Sequence, residues 1–293
     1  SSDVCSSDLS MASMRDIKRR KSSISSTQQI TKAMKLVSTV KLQKTKTRAE
    51  HAKPYFDEMY AVITSVLAKS GSIDHPYLRP GASEKKAVIV VTSNRGLAGG
   101  YNSNVVKLIT AGELEKEKLE IYTVGKKGRE ALEKRGYAMK EDYSNVINDP
   151  SYQDAVEIST KVLEEFKNGR IGEIYLAYTS FKNTVVHEPK LLKLLPVEAD
   201  RSKPVRSEAL MNYEPEEEEA LEIIIPKYVT SMIYGTLIEA VASENGARMQ
   251  AMDAATSNAE EMIEKLSLLY NRARQGSITQ ELTEIIAGAE AVD

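Results

Sequence analysis

Apolar side chains recur in alternating three- and four-residue steps through the last seventy or so residues of the chain. Nine of the eleven positions with this spacing are apolar: Ile238, Val241, Asn245, Arg248, Met252, Ala255, Ala259, Met262, Leu266, Leu269 and Ala273. This spacing is typical of a coiled-coil seam. A helix from about Pro226 to Ala287 would be roughly 90 Å long at 1.5 Å per residue, so we expect it to pack against another long element.

The expected partner is a second long helix near the start of the chain, from Met14 to about Leu67, with Gly71 as its stop signal. Only Pro54 interrupts it. Its apolar stripe consists of Ile17, Ile24, Ile30, Ala33, Met34, Val37 and Val40, followed by Phe56, Met59, Ile63 and Val66. Helices at opposite ends of a sequence can pair antiparallel only if the intervening chain returns near one end of the pair. We therefore expect a two-helix coiled coil with a compact domain set into its connection.

The middle of the chain alternates strand and helix patterns. Strands are predicted at Ala87–Thr92, Leu119–Val124, Glu173–Phe181 and Val185–Val197; helices are predicted after Asn102, at Lys127–Arg135 and at Ser151–Lys167. Ser151 and Asp154 resemble a capping box at the start of the last of these helices. This alternation predicts a small doubly wound α/β domain.

The predicted fold class is therefore α/β: a long antiparallel coiled coil of N- and C-terminal helices plus a small doubly wound α/β domain. Residues 11–70 form the N-terminal coiled-coil helix, 86–204 the Rossmann-like domain, 205–219 a linker and 220–290 the C-terminal helix. Residues 1–10 repeat Ser-Ser-Asp without helical periodicity. We interpret them as a non-native leader before Met11, or as a disordered native tail.

Composition narrows the class of protein. The chain has a formal net charge of -2, 28% charged residues and one cysteine, Cys5, so no internal disulfide can form. The chain contains no run of eighteen apolar residues that could span a bilayer, and no segment resembles a secretory signal.

The first predicted helix is strongly basic: from Arg15 to Arg48 there are eleven cations and one anion. Like charges on one helix repel, so we expect a negative partner: nucleic acid, an anionic lipid surface or an acidic protein cavity. Because no aromatic precedes Tyr55 and the apolar stripe is narrow, a protein cavity is favoured.

Candidate chemistry is sparse. The loop Gly96–Gly100 could present backbone N–H groups to a phosphate, but it matches neither the dinucleotide fingerprint nor the P-loop, and a structural turn is the better interpretation. His51, His75 and His187 lack metal-type spacing. No Ser or Cys lies in a recognisable nucleophile elbow. We assign no catalytic, cofactor-binding or metal-binding residue.

Several motifs carry a resemblance to a known family. They are Met11-Ala-Ser-Met-Arg-Asp-Ile-Lys-Arg-Arg, Thr27-Gln-Gln-Ile-Thr-Lys-Ala-Met34, Thr92-Ser-Asn-Arg-Gly-Leu-Ala-Gly-Gly-Tyr-Asn102, Ser243 to Ala259, and Ser277-Ile-Thr-Gln-Glu-Leu-Thr-Glu-Ile285. Together they closely resemble the gamma subunit of bacterial F-type ATP synthases, from Met11 to the C-terminus. The resemblance implies a non-catalytic rotor shaft that couples proton flow through a membrane c-ring to ATP synthesis or hydrolysis, without a cofactor, at the cytoplasmic face of the cell membrane.

The resemblance also implies partners and contact residues. The shaft would rise through a ring of three alpha and three beta subunits, while its foot meets the epsilon subunit and the c-ring. Contacts with the catalytic ring would come from Met34, Lys41, Arg274, Gln275, Thr279 and Glu284. Tyr213 and Glu214 would meet the c-ring and epsilon. Within the coiled coil, Met34 could instead pack on the partner helix, and Arg248 could set the register.

Two other function classes stay open at this stage. A nucleotide- or phosphate-binding α/β enzyme with a coiled-coil arm would require the Gly96–Asn102 loop to bind ligand. A nucleic-acid-binding coiled coil would require steeply salt-dependent binding through the basic first helix.

Overall fold

A computed structural model describes residues 14–69, 75–112, 114–197 and 217–290. The helices are α1 (Met14–Lys69), α2 (Tyr101–Thr110), α3 (Lys126–Glu133), α4 (Tyr152–Lys167) and α5 (Glu217–Glu290). The strands are β1 (Lys86–Val91), β2 (Leu119–Val124), β3 (Ala138–Asp142), β4 (Glu173–Phe181) and β5 (His187–Leu195). The chain divides into two compact units: one takes in residues up to Val37 with those from Ala251 onward, and the other spans Ser38–Gln250.

The second unit is built on one five-stranded sheet with the order β3-β2-β1-β4-β5. Four strands are parallel, and β5 pairs antiparallel with β4. Along β1, Val88 and Val90 pack with α2 and α3, whereas Ala87, Ile89 and Val91 pack with α4 and α5. Helices therefore cover both faces, which explains the continuous apolar run of this central strand. The prediction of a doubly wound α/β domain is confirmed.

Local signals position α4 on the sheet. The Ser151 hydroxyl accepts a hydrogen bond from the Asp154 N–H at 3.2 Å, and the Asp154 carboxylate accepts one from the Ser151 N–H at 2.8 Å. This capping box satisfies N–H groups that the first turn of a helix leaves without partners. The helix buries Ile158, Val162 and Phe166 in the core.

The first half of α5 is a core helix of the second unit. Leu221, Ile225, Val229, Ile233 and Leu237 recur every four residues, and all are fully buried. One 18-residue window of this helix is apolar enough to cross a membrane by length and composition alone, but 56% of that window is buried inside the protein. Its apolar character is therefore explained by packing against the sheet and α4.

In the first unit, α1 and α5 pair antiparallel. The Thr31 and Thr256 hydroxyls lie 2.7 Å apart, and the Lys35 ammonium lies 2.5 Å from the Asp253 carboxylate, so residue numbers rise along one helix as they fall along the other. Ile17, Thr31, Met252, Thr256 and Ala259 are buried in this seam. The predicted antiparallel coiled coil, and with it the predicted fold class, is confirmed.

On α1, the predicted apolar stripe is wrong at Ile30, Ala33, Val37 and Val40, whereas Met34 and Met59 are half-buried and Ile63 is buried. The seam repeats every seven residues through Ile17, Ile24 and Thr31, which are buried or half-buried. Ile30 and Val37 precede these heptad positions by one residue, so the helix turns them away from α5, and they are 60% and 57% exposed. Ala33 is exposed too, and so is Val40 in the second unit. The heptad repeat, rather than apolar content, sets the facing side.

A smaller difference occurs on α5. Met262 was expected on the seam, but its side chain is 51% exposed, and the neighbouring Ile263 is half-buried instead. Leu266 and Ala273 are half-buried, as a seam requires. The side chains of Phe56 and Val66 lie outside the described part of the chain.

Candidate partner-binding surface

The loop after β1 caps the N-terminus of α3, the helix that follows the neighbouring strand β2. The Lys126 N–H donates to the Asn94 side-chain oxygen at 2.9 Å, and the Gly128 N–H donates to the Thr92 hydroxyl at 2.9 Å. The Lys127 N–H donates to the Ser93 carbonyl at 3.0 Å. These are the N–H groups that a phosphate at the start of α3 would need. The loop itself already occupies them.

Hydrogen bonds within the chain also hold the loop that precedes α2, although no side chain caps the first turn of that helix. The Asn102 side-chain oxygen accepts hydrogen bonds from the Ser93 N–H at 2.9 Å and from the Ser93 hydroxyl at 3.0 Å. The Asn104 N–H donates to the Gly100 carbonyl at 2.9 Å. The Gly96–Gly100 segment is thus a hydrogen-bonded turn, and the structural interpretation of this loop is the one that its contacts favour.

The crevice where an α/β sheet of this type binds ligands is occupied by α5. Ligands bind outside the carboxyl ends of the strands, at the point where the strand order reverses, which here lies between β1 and β4. Four hydrogen bonds join α5 to this edge: Tyr101 hydroxyl to Ala240 carbonyl at 3.0 Å, Ser243 hydroxyl to Thr179 carbonyl at 3.1 Å, Arg248 to Gly96 carbonyl at 3.3 Å, and Gln250 amide to Thr184 carbonyl at 2.6 Å. The site of a cofactor is thus filled by the chain's own helix.

Arg248 belongs to this attachment. It pairs with Glu244 at 2.7 Å as well as donating to the Gly96 carbonyl, so its contacts fasten α5 to the loop after β1. Burial raises the pKa of Tyr101 well above its ordinary value, so its hydroxyl stays a neutral donor to Ala240. The expectation that Arg248 sets the coiled-coil register has no support in these contacts.

The histidines do not form a site. Among the described residues, no group of three or more His, Cys, Asp or Glu side chains is placed to hold a metal ion. His51 is exposed on α1. His75 is buried and accepts a hydrogen bond from the Tyr77 N–H at 3.3 Å.

The first unit, by contrast, exposes an unusual number of large apolar side chains. On α1 these are Ile30, Leu36 and Val37; on α5 they include Leu268, Ile278, Leu282, Ile285 and Ile286. Together we call them the outer apolar side chains. Scattered single examples are ordinary, but repeated exposure along α1 and along the end of α5 marks a surface that binds another protein.

Cations share the surface of α1. Lys18, Arg20, Lys32, Lys41 and Lys44 are exposed. Some others have acidic partners within the chain: Lys35 pairs with Asp253, and Arg48 pairs with Asp149 at 2.6 Å. A surface that combines exposed apolar groups with cations fits a partner whose cavity is partly acidic.

The structure places the six expected ring-contact residues on two separate stretches. Met34 is half-buried and Lys41 is exposed, both on α1. Near the end of α5, the side chains of Arg274, Gln275, Thr279 and Glu284 are all exposed. Arg274 lies 18 residues beyond Thr256, or about 27 Å along the helix, so it does not join Met34 in one cluster. Tyr213 and Glu214 lie outside the described residues.

Sequence reasoning missed the outer apolar side chains. It assigned Ile30 and Val37 to the seam and gave Ile278, Leu282, Ile285 and Ile286 no role. The sequence did contain a signal that Ile30 and Val37 face outward: each lies one residue before the next position of the seven-residue repeat that contains Ile17 and Ile24.

Comparison with known proteins gives this surface a context. A family model described as ATP synthase matches residues 13–292. An ATP synthase gamma chain from Lachnoclostridium phytofermentans is 65% identical over 291 residues, covering 97% of this chain and 100% of that protein. The chain belongs to the ATP synthase gamma chain family.

Other matches agree. The gamma chain of Alkaliphilus metalliredigens is 45% identical over 284 residues, covering 95% of this chain and 98% of that protein. A chain from the rotor of the Euglena gracilis mitochondrial ATP synthase has the same fold, with a TM-score of 0.64 and 19% identity, over 90% of this chain and 98% of that one. As a gamma chain, the protein is a non-catalytic central-stalk rotor subunit of an F-type ATP synthase, a membrane-bound complex whose F1 portion is peripheral.

Proposed function

We propose that α1 and the C-terminal half of α5 of this gamma chain enter the cavity of a ring of three alpha and three beta subunits. The contacts are made by Met34, Lys41, Arg274, Gln275, Thr279 and Glu284. The observation that supports this proposal is the exposure of the outer apolar side chains beside the cations of α1. Burying such side chains in a partner gains about 1.5–3 kcal/mol each, whereas leaving them in water gains nothing.

We also propose that a second region of the gamma chain carries the coupling to the membrane. Tyr213 and Glu214 meet the epsilon subunit and the c-ring, at the cytoplasmic face of a bacterial cell membrane. Ion flow turns the c-ring and the gamma chain together. Because two unlike helices present different faces, each orientation of the pair acts differently on the three beta subunits, and ATP is released from each in turn.

Assembly and ATP hydrolysis test the proposal. Recombinant alpha and beta subunits are mixed with the full chain, checked for a single co-eluting complex and assayed for turnover. We expect co-elution and strongly raised turnover. Deleting residues 273–293 removes the contacts of Arg274, Gln275, Thr279 and Glu284, and we expect it to lower turnover.

A double substitution, Ile30→Ser with Val37→Ser, tests the outer apolar side chains directly. Losing the burial of one such side chain costs about 1.5 kcal/mol or more, so we expect each substitution to weaken binding to the alpha and beta subunits by at least about tenfold. The matched control is Ile223→Ser, which changes an exposed apolar residue of the second unit and leaves assembly unchanged. Failure of the unmodified chain to co-elute with a matched alpha and beta pair would contradict the proposal.

A further inference from the structure

The tip of the β4–β5 hairpin rests on α5. The Gln250 amide donates to the Thr184 carbonyl at 2.6 Å, and the Ser243 hydroxyl donates to the Thr179 carbonyl at 3.1 Å. Between these two bonds along α5 lies Gly246, and the imidazole of His187 is placed against it. The hairpin is thus attached over two turns of α5.

The fit between His187 and Gly246 leaves no room for a side chain on the helix. A Cβ atom at position 246 would lie 2.6 Å from Cε1 and 2.9 Å from Nε2 of the imidazole. On its other side the imidazole neighbours Phe181, with ring centroids 5.8 Å apart. Glycine is therefore the residue that allows this histidine to lie directly on the helix backbone.

The two ring nitrogens of His187 are buried, and neither has a hydrogen-bond partner within the described part of the chain. A neutral imidazole without partners costs some free energy in such a site, but an imidazolium costs far more because its charge loses water and finds only the Thr184 carbonyl nearby as an acceptor. Burial lowers the pKa of His187, and the Thr184 carbonyl only partly offsets this.

Charged groups on the neighbouring elements do not stabilise a charged imidazole. On the hairpin, Lys182 and Glu188 pair with each other at 3.5 Å. On α5, Glu244 pairs with Arg248. The negative charge of Glu239 acts on Tyr178: burial is the main cause that raises the pKa of Tyr178, and Glu239 is the second. On α2, the one cation is Lys107, which is exposed, and Tyr101 bonds to Ala240. None of these carboxylates contributes to the titration of His187.

We propose that the β4–β5 hairpin is a pH-sensitive latch on α5, closed by the neutral His187 imidazole seated on Gly246 and opened when that imidazole takes up a proton. Above pH 6.5, the ordinary value for histidine, the open and closed forms carry the same charge and the latch has its full stability. As the pH falls below 6.5 only the open form binds a proton readily, so closure weakens by up to about tenfold per pH unit until the pKa of the closed form is reached. Since α5 carries rotation in a gamma chain, acidification loosens one attachment between the sheet and that helix.

Hydrogen exchange of the full chain tests the latch. The measurement compares residues 182–195 and 240–250 at pH 7.5 and 5.5, after correction for the intrinsic pH dependence of amide exchange. In the unmodified chain we expect up to about tenfold faster exchange at pH 5.5. His187→Phe keeps a ring but cannot be protonated, so its exchange should be the same at both values. Gly246→Ala displaces the imidazole, so exchange should be fast at both.

His51→Gln is the matched control, because it removes an exposed histidine and should retain the pH difference. The proposal is overturned if the unmodified chain shows no difference, if His51→Gln abolishes it, or if His187→Phe retains it. Where the phenyl ring itself loosens the hairpin, NMR titration of the His187 imidazole in the unmodified chain decides the matter. Titration below pH 6.5 that returns to the ordinary range in Gly246→Ala supports the latch, and titration at or above 6.5 overturns it.

Discussion

At the scale of single residues, the seam of the first unit depends on polar contacts as much as on apolar ones. The Thr31 and Thr256 hydroxyls meet at 2.7 Å in a buried position, and the Thr256 hydroxyl also donates to the Met252 carbonyl at 2.7 Å. A short polar pair at facing positions favours one register, because a shifted register loses this bond and leaves each hydroxyl only a carbonyl of its own helix, that of Gln28 for Thr31 and that of Met252 for Thr256.

Substitution of this pair gives the first prediction. We expect Thr31→Val to raise the free energy of the folded state by about 1 kcal/mol, since it removes one partner of a buried hydrogen bond. The double substitution with Thr256→Val should cost less than the sum of the two single ones, because two methyl groups then pack together. Urea unfolding of the full chain and its three variants measures this. Strictly additive costs would show that the two hydroxyls do not interact.

At the scale of elements, the close packing of the start of α3 against the end of β1 depends on one glycine, which joins β2 to α3. Gly125 has φ +118°, a conformation that side chains rarely adopt, and a Cβ there would lie 2.1 Å from the Thr92 carbonyl oxygen. That carbonyl is backbone and cannot move aside without disturbing the strand. Thr92 also caps α3 through Gly128, so the strand and the helix would be disturbed together.

We therefore expect Gly125→Ala to destabilise the protein by at least about 3 kcal/mol, as measured by the midpoint of urea unfolding. The matched control is Gly99→Ala, because Gly99 also has positive φ, at +55°, but no atom lies within 4 Å of its missing Cβ. That control should cost only about 1 kcal/mol. Equal costs at the two positions would mean that backbone strain alone, and not the contact with Thr92, makes Gly125 necessary.

How much of the fold could be predicted also depends on the element. Strands β2 and β4 match their predicted bounds, because apolar and aromatic side chains make up most of both segments. Strand β3 was missed: Ala138–Asp142 lies at an edge of the sheet and is mostly exposed, so its sequence carries no apolar signal. The face of α1 was misjudged because its seam contains Gln28, Thr31 and Lys35, which only a partner helix can identify as inward-facing.

The candidate site was predictable to a different extent. The absence of a phosphate-binding fingerprint at Gly96–Gly100 follows from spacing, but the occupation of the crevice by α5 depends on contacts between residues far apart in sequence, such as Tyr101 with Ala240. His187 received no role from sequence, since its environment is set by Gly246 on another element. The contact residues of the ring came from family resemblance and stay predictions.

At the scale of the whole molecule, charge is distributed unevenly. The full chain has a net charge of -2, yet residues 15–48 carry eleven cations and one anion. A local excess of this kind accelerates association with an oppositely charged partner and acts mainly on the association rate. Salt screens such attraction over about 10 Å at 0.1 M.

The last prediction therefore concerns the rate at which the full chain joins the alpha and beta subunits. The triple substitution Lys32→Gln, Lys41→Gln and Lys44→Gln should slow association by about tenfold at low salt, flatten its salt dependence and change dissociation far less. The matched control removes three exposed cations of the α/β domain, away from α1, with Lys107→Gln, Lys134→Gln and Lys161→Gln, so that both variants have the same net charge. Stopped-flow kinetics across a salt series separates them. Equal slowing in both variants would assign the effect to net charge, and only a selective effect of the α1 lysines supports an acidic cavity as the surface that receives this helix.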